Sequence, residues 1–162
     1  MIHYEIRSVD EKDLPLCLEA IHAAFGDSEK RFGYTRETYP SSGAYLTLED
    51  LKKSKARGVH MYAAYVGERV AGYVQLEKVK DGVYAFRRFA VLPEYQNLGL
   101  GRALITHCRK RAMSYGGRKL TLLMIYENNV LRAFYESNGF RLMYTGRDKD
   151  YPFEYAIMEL EL

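Results

Sequence analysis

Tryptophan is absent from this sequence, and cysteine occurs only as Cys17 and Cys108. Both cysteines lie in helical, apolar patterns, which favours buried, reduced thiols over a disulfide. No cysteine or histidine pair has the spacing of metal ligands, so we expect no bound metal. A strong excess of one charge is also missing. The 24 basic and 21 acidic residues leave a net charge of +3, which argues against a nucleic-acid partner.

Long apolar runs are missing as well. No stretch approaches the roughly 18 residues that a membrane span requires, so we expect no membrane partner. The N-terminal residues lack the basic region and apolar core of a signal peptide, and the expected location is the cytoplasm. The length of 162 residues suits a single domain over residues 1–162. The oligomeric state is left open, with a homodimer among the options.

Hydrophobic periodicity predicts a mixed α/β chain with the element order β-α-α-β-β-β-α-β-α-β-β. The first helix is predicted to end at Gly26. Residues 27–48 are then loops or short helical pieces, and long irregular segments are often functional. The unbroken apolar run over residues 120–126 predicts a strand that is buried on both faces. The predicted strands cover residues 2–7, 60–65, 69–79, 83–92, 120–126, 140–145 and 153–162, and the later helices cover 48–56, 100–115 and 128–138.

The most informative segment follows the strand 83–92. That strand ends at Pro93, a polar loop follows, and Gly99 and Gly101 then lie at the start of a helix. The first N–H groups of a helix lack internal partners, and glycines let a ligand approach them closely. These features predict a diphosphate site, although two glycines alone are equally compatible with an ordinary helix start. The spacing differs from a Walker loop and from a dinucleotide fingerprint.

In full, Gln96-x-x-Gly99-x-Gly101 after Val91-x-Pro93 resembles the coenzyme A loop of the GNAT superfamily of N-acetyltransferases. The resemblance implies that loop amides hold the pyrophosphate of coenzyme A. It also implies a mixed, mostly antiparallel central sheet with helices on both faces, splayed at a bulge near Phe89 to Val91. The implied coenzyme A contacts are Phe89, Ala90, Val91, Gln96, Asn97, Leu98, Gly99, Leu100, Gly101, Arg102, Asn128 and Tyr135.

A second segment, from Asn128 to Phe140, is similar to the family pattern N-x-x-A-x-x-F-Y-E-x-x-G-F, with Leu131 in place of the usual alanine. Leu131 and Tyr135 share a helix face, and Asn128 lies near the N-cap. The resemblance implies that the Tyr135 hydroxyl protonates the departing thiolate of coenzyme A, a role that suits a phenol. It also implies that Asn128 meets the pantetheine arm. The alternatives are a core tyrosine and a simple N-cap asparagine.

The resemblance implies direct transfer of an acetyl group from acetyl-CoA to a primary amine of a small molecule, peptide or protein. A backbone N–H near Val91 would polarise the thioester carbonyl. Many family members carry a glutamate six residues before the valine, where this chain has Ala85. Glu77 would lie opposite Ala85 if the hairpin loop has three residues, which makes it a candidate base. The alternative is an exposed strand glutamate.

Acceptor specificity in this family depends largely on the segment after the first helix. In this chain that segment contains Phe32, Tyr34, Tyr39 and Tyr45. These side chains would either line an aromatic acceptor pocket or pack together as a loop. Because the usual glutamate is missing, a non-catalytic acyl-CoA-binding sensor or regulatory module of the same fold is the alternative function.

Overall fold

The computed structural model describes residues 2–162. The strands are β1 Glu5–Ser8, β2 His60–Val66, β3 Arg69–Lys80, β4 Val83–Val91, β5 Lys119–Ile125, β6 Arg141–Gly146 and β7 Tyr155–Glu161. The α-helices within these residues are α1 Leu14–Phe32, α2 Leu48–Ala56, α3 Leu100–Ser114 and α4 Asn129–Ser137. The seven strands form one sheet in the order β1-β2-β3-β4-β5-β7-β6. Every strand pair is antiparallel except β4 and β5. This confirms the predicted mixed, mostly antiparallel sheet.

The sheet separates two apolar clusters, and this places helices on both of its faces. Residues of α1 and α2 pack on one face, including Leu14, Ile21 and Leu51. Residues of α3 pack on the opposite face, where Tyr135 of α4 is also buried. Cys17 and Cys108 lie in different clusters, and both are buried free thiols. The predicted reduced state is therefore confirmed, and burial raises the pKa of both thiols.

The first helix is longer than predicted. The expectation that Gly26 ends it was wrong, because α1 continues to Phe32 and is followed by Gly33. A glycine inside a helix costs only about 1 kcal/mol relative to alanine, so the apolar face of α1 overrides it. The additional two turns bury the side chain of Glu29, which is only 4% exposed. The start of the expected irregular segment, residues 27–32, is therefore helix.

The sheet splays between β4 and β5. Their parallel pairing covers only residues 83–85 of β4 and 119–121 of β5. In β4, Arg88 and Phe89 together lie opposite the single residue Val74 of β3, which defines a β-bulge. Arg88 has a φ of 53° there, a strained value for a non-glycine residue. The bulge begins one residue before the segment Phe89 to Val91, where it was predicted. It turns the end of β4 away from β5.

The prediction that β5 is buried on both faces was also wrong. Leu120, Leu122 and Met124 are buried, whereas Leu123 is 42% exposed. Leu123 lines an open cavity instead of packing under a helix. The continuous apolar run therefore reflects a core on one face and an apolar cleft on the other. No helix within residues 2–162 combines the length and the apolar content that crossing a bilayer demands.

Candidate active site

The loop between β4 and α3 is shaped by two residues with left-handed backbone. A single turn of 3-10 helix, Pro93–Tyr95, follows β4. Asn97 then has a φ of 63° and Gly99 a φ of 89°. Asparagine and glycine are the residues that adopt this region most readily. Gly99 is the N-cap of α3, so the loop delivers the chain directly into the first helical turn.

The amides of this loop are free. The first intrahelical bond of α3 runs from the N–H of Ala103 to the carbonyl of Gly99, at 3.0 Å. Within the part of the chain from residue 2 to 162, the N–H groups of residues 97–102 donate to no protein acceptor. They lie at the positive end of the α3 dipole. A row of free N–H groups at a helix start is suited to binding a phosphate group.

The end of β4 also presents backbone to the splayed cleft. Leu92 donates its N–H to the carbonyl of Ala71 at 2.9 Å. Antiparallel partners alternate between bonded and non-bonded pairs, so the N–H and carbonyl of Val91 point away from β3. The Val91 carbonyl accepts a bond from Gln96 Nε2 at 3.2 Å, which fixes the loop to the strand. Its N–H faces the cleft, since β5 pairs with β4 only near the opposite end.

Helix α4 is fixed at its start by Asn128. The Asn128 side chain accepts a bond from the N–H of Leu131 at 3.2 Å, so the N-cap interpretation is confirmed. Arg132 adds a bond from Nη1 to the Tyr126 carbonyl at 2.6 Å. Asn128 also lines the cleft. Its amide oxygen is committed to the cap, which leaves its NH₂ group available to a ligand.

Tyr135 lies in the last turn of α4 and is 5% exposed. Its ring packs against those of Phe86, Phe89 and Phe140, with centroids between 5.5 and 6.1 Å apart. Burial raises the pKa of the Tyr135 hydroxyl, so the phenol remains protonated at neutral pH. Tyr135 is thus both a core aromatic and a residue that borders a cavity.

Two cavities meet beside Phe89, Asn128 and Leu131. The first, of about 460 Å³, runs along the loop. Of the residues predicted to bind coenzyme A, those lining it are Phe89, Ala90, Val91, Gln96, Asn97, Gly99, Gly101, Arg102 and Asn128. The side chain of Leu98 is half exposed and that of Leu100 is buried, so these two contribute backbone rather than cavity wall. The second cavity, of about 520 Å³, extends from the α1 side to Tyr135.

Glu77 lies opposite Ala85 as predicted, but the reason is a bulge between Lys78 and Lys80 and not a three-residue loop, because Lys80 pairs with Val83. Its carboxylate is engaged with two guanidinium groups, those of Arg57 and Arg87, each at 3.1 Å. Ala85 lines the second cavity, but Glu77 is not among its lining residues. The geometry therefore places Glu77 in an ion-pair network at the side of the site, and its role as base stays a prediction.

The aromatic segment after α1 contributes to the second cavity through Tyr39 alone of the four predicted residues. Tyr34 instead donates to Glu127 Oε1 at 2.6 Å, and Tyr45 packs under the guanidinium of Arg36. The second cavity also involves Glu29, Tyr151 and Phe153, which the sequence interpretation missed. The four-residue spacing of Phe25 and Glu29 could have indicated that Glu29 lies on the same helix face. The prediction that the helix ends at Gly26 hid this relationship.

A splayed sheet, a loop of free amides at a helix start and a buried tyrosine in the cleft together define the acetyltransferase class of fold. The family model described as the acetyltransferase (GNAT) family matches residues 20–140. The chain therefore belongs to the GNAT family, and the resemblance read from the two motifs is confirmed.

Solved structures share this fold along nearly the whole chain. PaiA N-acetyltransferase from Thermoplasma acidophilum in complex with coenzyme A has a TM-score of 0.81 at 21% identity, covering 99% of this chain and 100% of that one. A ribosomal-protein alanine N-acetyltransferase from Escherichia coli has a TM-score of 0.78 at 22% identity, covering 98% and 94%. The ribosomal-protein-alanine N-acetyltransferase from Brucella melitensis gives 0.75 at 19%, covering 98% and 99%. A search of curated proteins found no match.

Proposed function

We propose that the protein is an acetyl-CoA-dependent N-acetyltransferase that moves an acetyl group directly to a primary amine of a small molecule, peptide or protein. The observation that carries this proposal is the continuity of the site. Asn97, Gly99, Gly101 and Arg102, whose amides are free, line one cavity, and that cavity meets a second one bordered by Tyr135. The coenzyme A in the Thermoplasma acidophilum structure supports the choice of donor.

Each part of the site has a chemical task in this proposal. Acetyl-CoA supplies the activated acyl group. The free loop amides bind its diphosphate, and the left-handed Gly99 brings them to the start of α3. The Val91 N–H faces the cleft and donates to the thioester carbonyl, where negative charge develops during transfer. The Tyr135 hydroxyl donates its proton to the thiolate that departs. The free NH₂ of Asn128 bonds the pantetheine arm.

Features of this chain, independent of its family, also support acetyl-CoA as the acyl donor. A diphosphate requires several N–H donors in a small space, and the loop provides them without any lysine or metal. Within residues 2–162 no group of three or more metal-ligating side chains is found. The apolar cleft between β4 and β5 presents backbone at Val91, which suits a pantetheine arm that carries amide groups.

Calorimetry with coenzyme A, paired with a thiol-release assay, tests the function. The amine panel contains 2-phenylethylamine, spermidine, a peptide with an N-terminal alanine and a peptide with an internal lysine. We expect coenzyme A to bind in the micromolar range and at least one amine to release free thiol from acetyl-CoA. Absence of coenzyme A binding at millimolar ligand contradicts the proposal. Tight binding without thiol release from any amine favours the sensor alternative.

A further inference from the structure

Glu29 is the one carboxylate among the described residues that line the second cavity. It lies in the part of α1 beyond Gly26, and only 4% of its surface is accessible to solvent. Its Oε2 atom is buried and has no hydrogen-bond partner within residues 2–162. Buried carboxylates that serve packing alone are normally hydrogen-bonded or paired with a cation. An unpartnered oxygen at a cavity wall indicates that a ligand group completes its bonding.

No cation within residues 2–162 forms an ion pair with Glu29. Of the two cations that line the same cavity, Arg88 donates to the Ser41 carbonyl at 3.2 Å. The other cavity cation, Arg87, is bonded to Glu77 at 3.1 Å. Both cations of the cavity are thus engaged elsewhere, and no ion pair to Glu29 occurs among the described residues. The negative charge of Glu29 is available to a positively charged ligand.

The walls around this carboxylate are aromatic. The rings of Tyr39 and Tyr151 lie 6.0 Å apart, and Phe153 packs against both with centroids 5.1 Å away. Phe25 lines the same cavity one helical turn before Glu29. Aromatic faces attract ammonium groups and exclude water from them. A volume of about 520 Å³ admits a small amine or the end of a peptide.

We propose that Glu29 receives the ammonium group of the acceptor and removes its proton, in place of the carboxylate that is missing at Ala85. This inference rests on the proposed acetyltransferase function and names the residue that prepares its second substrate. The acceptor class is a primary ammonium on an apolar or aromatic body. Ala85 and Glu29 line the same cavity. A carboxylate on α1 can therefore do the work that the family assigns to a glutamate at the Ala85 position of β4.

The proton balance of the step is complete. The acceptor ammonium gives one proton to the Glu29 carboxylate, and the neutral amine forms the new C–N bond to the acetyl carbon. The C–S bond breaks, and the departing thiolate takes the proton of the Tyr135 hydroxyl. The nitrogen of the new amide then loses its second proton, which restores Tyr135. Glu29 releases its proton to water, so each turnover releases one proton overall.

Burial raises the pKa of Glu29, and the hydroxyl of Ser42 opposes this shift to a smaller extent. A carboxylate with a raised pKa is a stronger base near neutral pH than an exposed one. The titratable groups that face it come from the segment after α1, from β4 and from the segment before β7: Tyr34, Tyr39, Arg87, Arg88 and Tyr151.

Glu29→Gln tests the inference because it keeps the shape of the side chain and removes its basicity. The matched control is Glu19→Gln, which neutralises an exposed glutamate on the same helix. With the amine of the panel that releases thiol fastest, we expect kcat/KM for the amine to fall about 100-fold or more at pH 7.5 in Glu29→Gln. Near pH 10, where a much larger fraction of an alkylamine is neutral in solution than at pH 7.5, the variant should recover to within about tenfold of the parent protein. Coenzyme A binding should be unchanged.

Four outcomes overturn the inference. Wild-type kcat/KM in Glu29→Gln at pH 7.5 removes Glu29 from the reaction and leaves the proposed function intact. An equal loss at pH 7.5 and pH 10 identifies a structural role instead of a base. A Glu77→Gln variant that shows the loss and the recovery assigns the base to Glu77. If the parent protein binds no coenzyme A or releases thiol with no amine, the proposed function fails and the inference fails with it.

Discussion

The rings of Phe89 and Phe134 are stacked, with centroids 6.0 Å apart and planes 7° apart. This pair joins the bulge of β4 to α4, the helix that carries Tyr135. A Cβ atom added at Gly101 would lie 3.0 Å from the ring of Phe134 and 3.1 Å from that of Phe89. Three parts of the site therefore meet at one contact: the bulge, the start of α3 and the tyrosine helix.

Gly101→Ala should disturb this contact, because the added methyl group would press on both stacked rings. We expect a loss of about 1–2 kcal/mol of unfolding free energy and weaker coenzyme A binding. Denaturant unfolding and calorimetry measure the two effects. Gly26→Ala is the matched control, since Gly26 is also helical and has open space around it. That change should stabilise α1 by up to about 1 kcal/mol, and an equal effect of both substitutions contradicts the close-contact explanation.

Gly99→Ala should weaken coenzyme A binding by straining the loop. At a φ of 89° an alanine costs about 1–2 kcal/mol, and part of that strain is relieved by moving the free amides out of position. Gly67→Ala offers the control, because Gly67 also has a positive φ and no atom near its missing Cβ but lies in the β2–β3 turn. Both variants should lose similar stability, while only Gly99→Ala should raise the Kd for coenzyme A. Equal Kd values would remove the loop from the binding site.

Tyr135→Phe should lower kcat by about 100-fold or more, which is the range expected when a general acid is removed. The Kd for coenzyme A and the melting temperature should change little, because the ring and its contacts with Phe86 and Phe89 remain. Thiol-release kinetics, calorimetry and thermal unfolding measure the three quantities. A variant with full kcat would assign Tyr135 to the core alone.

Asn128→Ser separates the two roles of Asn128. Serine is as good an N-cap as asparagine, so the melting temperature should be retained. The NH₂ group is lost, and we expect a raised KM for acetyl-CoA. Asn128→Ala should lose the cap as well, at a cost of about 1 kcal/mol. If Asn128→Ser binds acetyl-CoA normally, Asn128 is an N-cap and nothing more.

The raised pKa of Glu29 predicts a specific dependence of stability on pH. Between the ordinary pKa of glutamate and the higher folded value, the folded protein retains a proton that the unfolded chain has lost. Stability therefore decreases as the pH rises through that interval and remains lower above it. Glu29→Gln lacks this penalty, so its melting temperature should exceed that of the parent increasingly as the pH rises above the ordinary pKa of glutamate. Glu19→Gln should show no such trend, and an absent trend in Glu29→Gln would contradict the buried charge.

The sequence by itself determined the features that depend on local spacing. The Asp81-Gly82 turn identified the β3–β4 hairpin, whereas the register that sets Glu77 opposite Ala85 also depends on a bulge between Lys78 and Lys80. The glycine spacing at Gly99 and the cap at Asn128 are likewise local, because a backbone turn or a helix start involves only neighbouring residues.

Only the tertiary structure decided the properties that depend on distant segments. Gly26 predicts a helix end, but packing of α1 on the sheet extends that helix and buries Glu29. The apolar run of β5 predicts an interior strand. Because the bulge turns β4 away, one face of β5 instead forms a wall of the cleft. Burial, cavity shape and the pKa of a carboxylate depend on which segments come together in space, and residues 29, 88 and 151 line one cavity although they lie far apart in the sequence. For this reason the donor site could be predicted from motifs, whereas the acceptor side of the cleft could not.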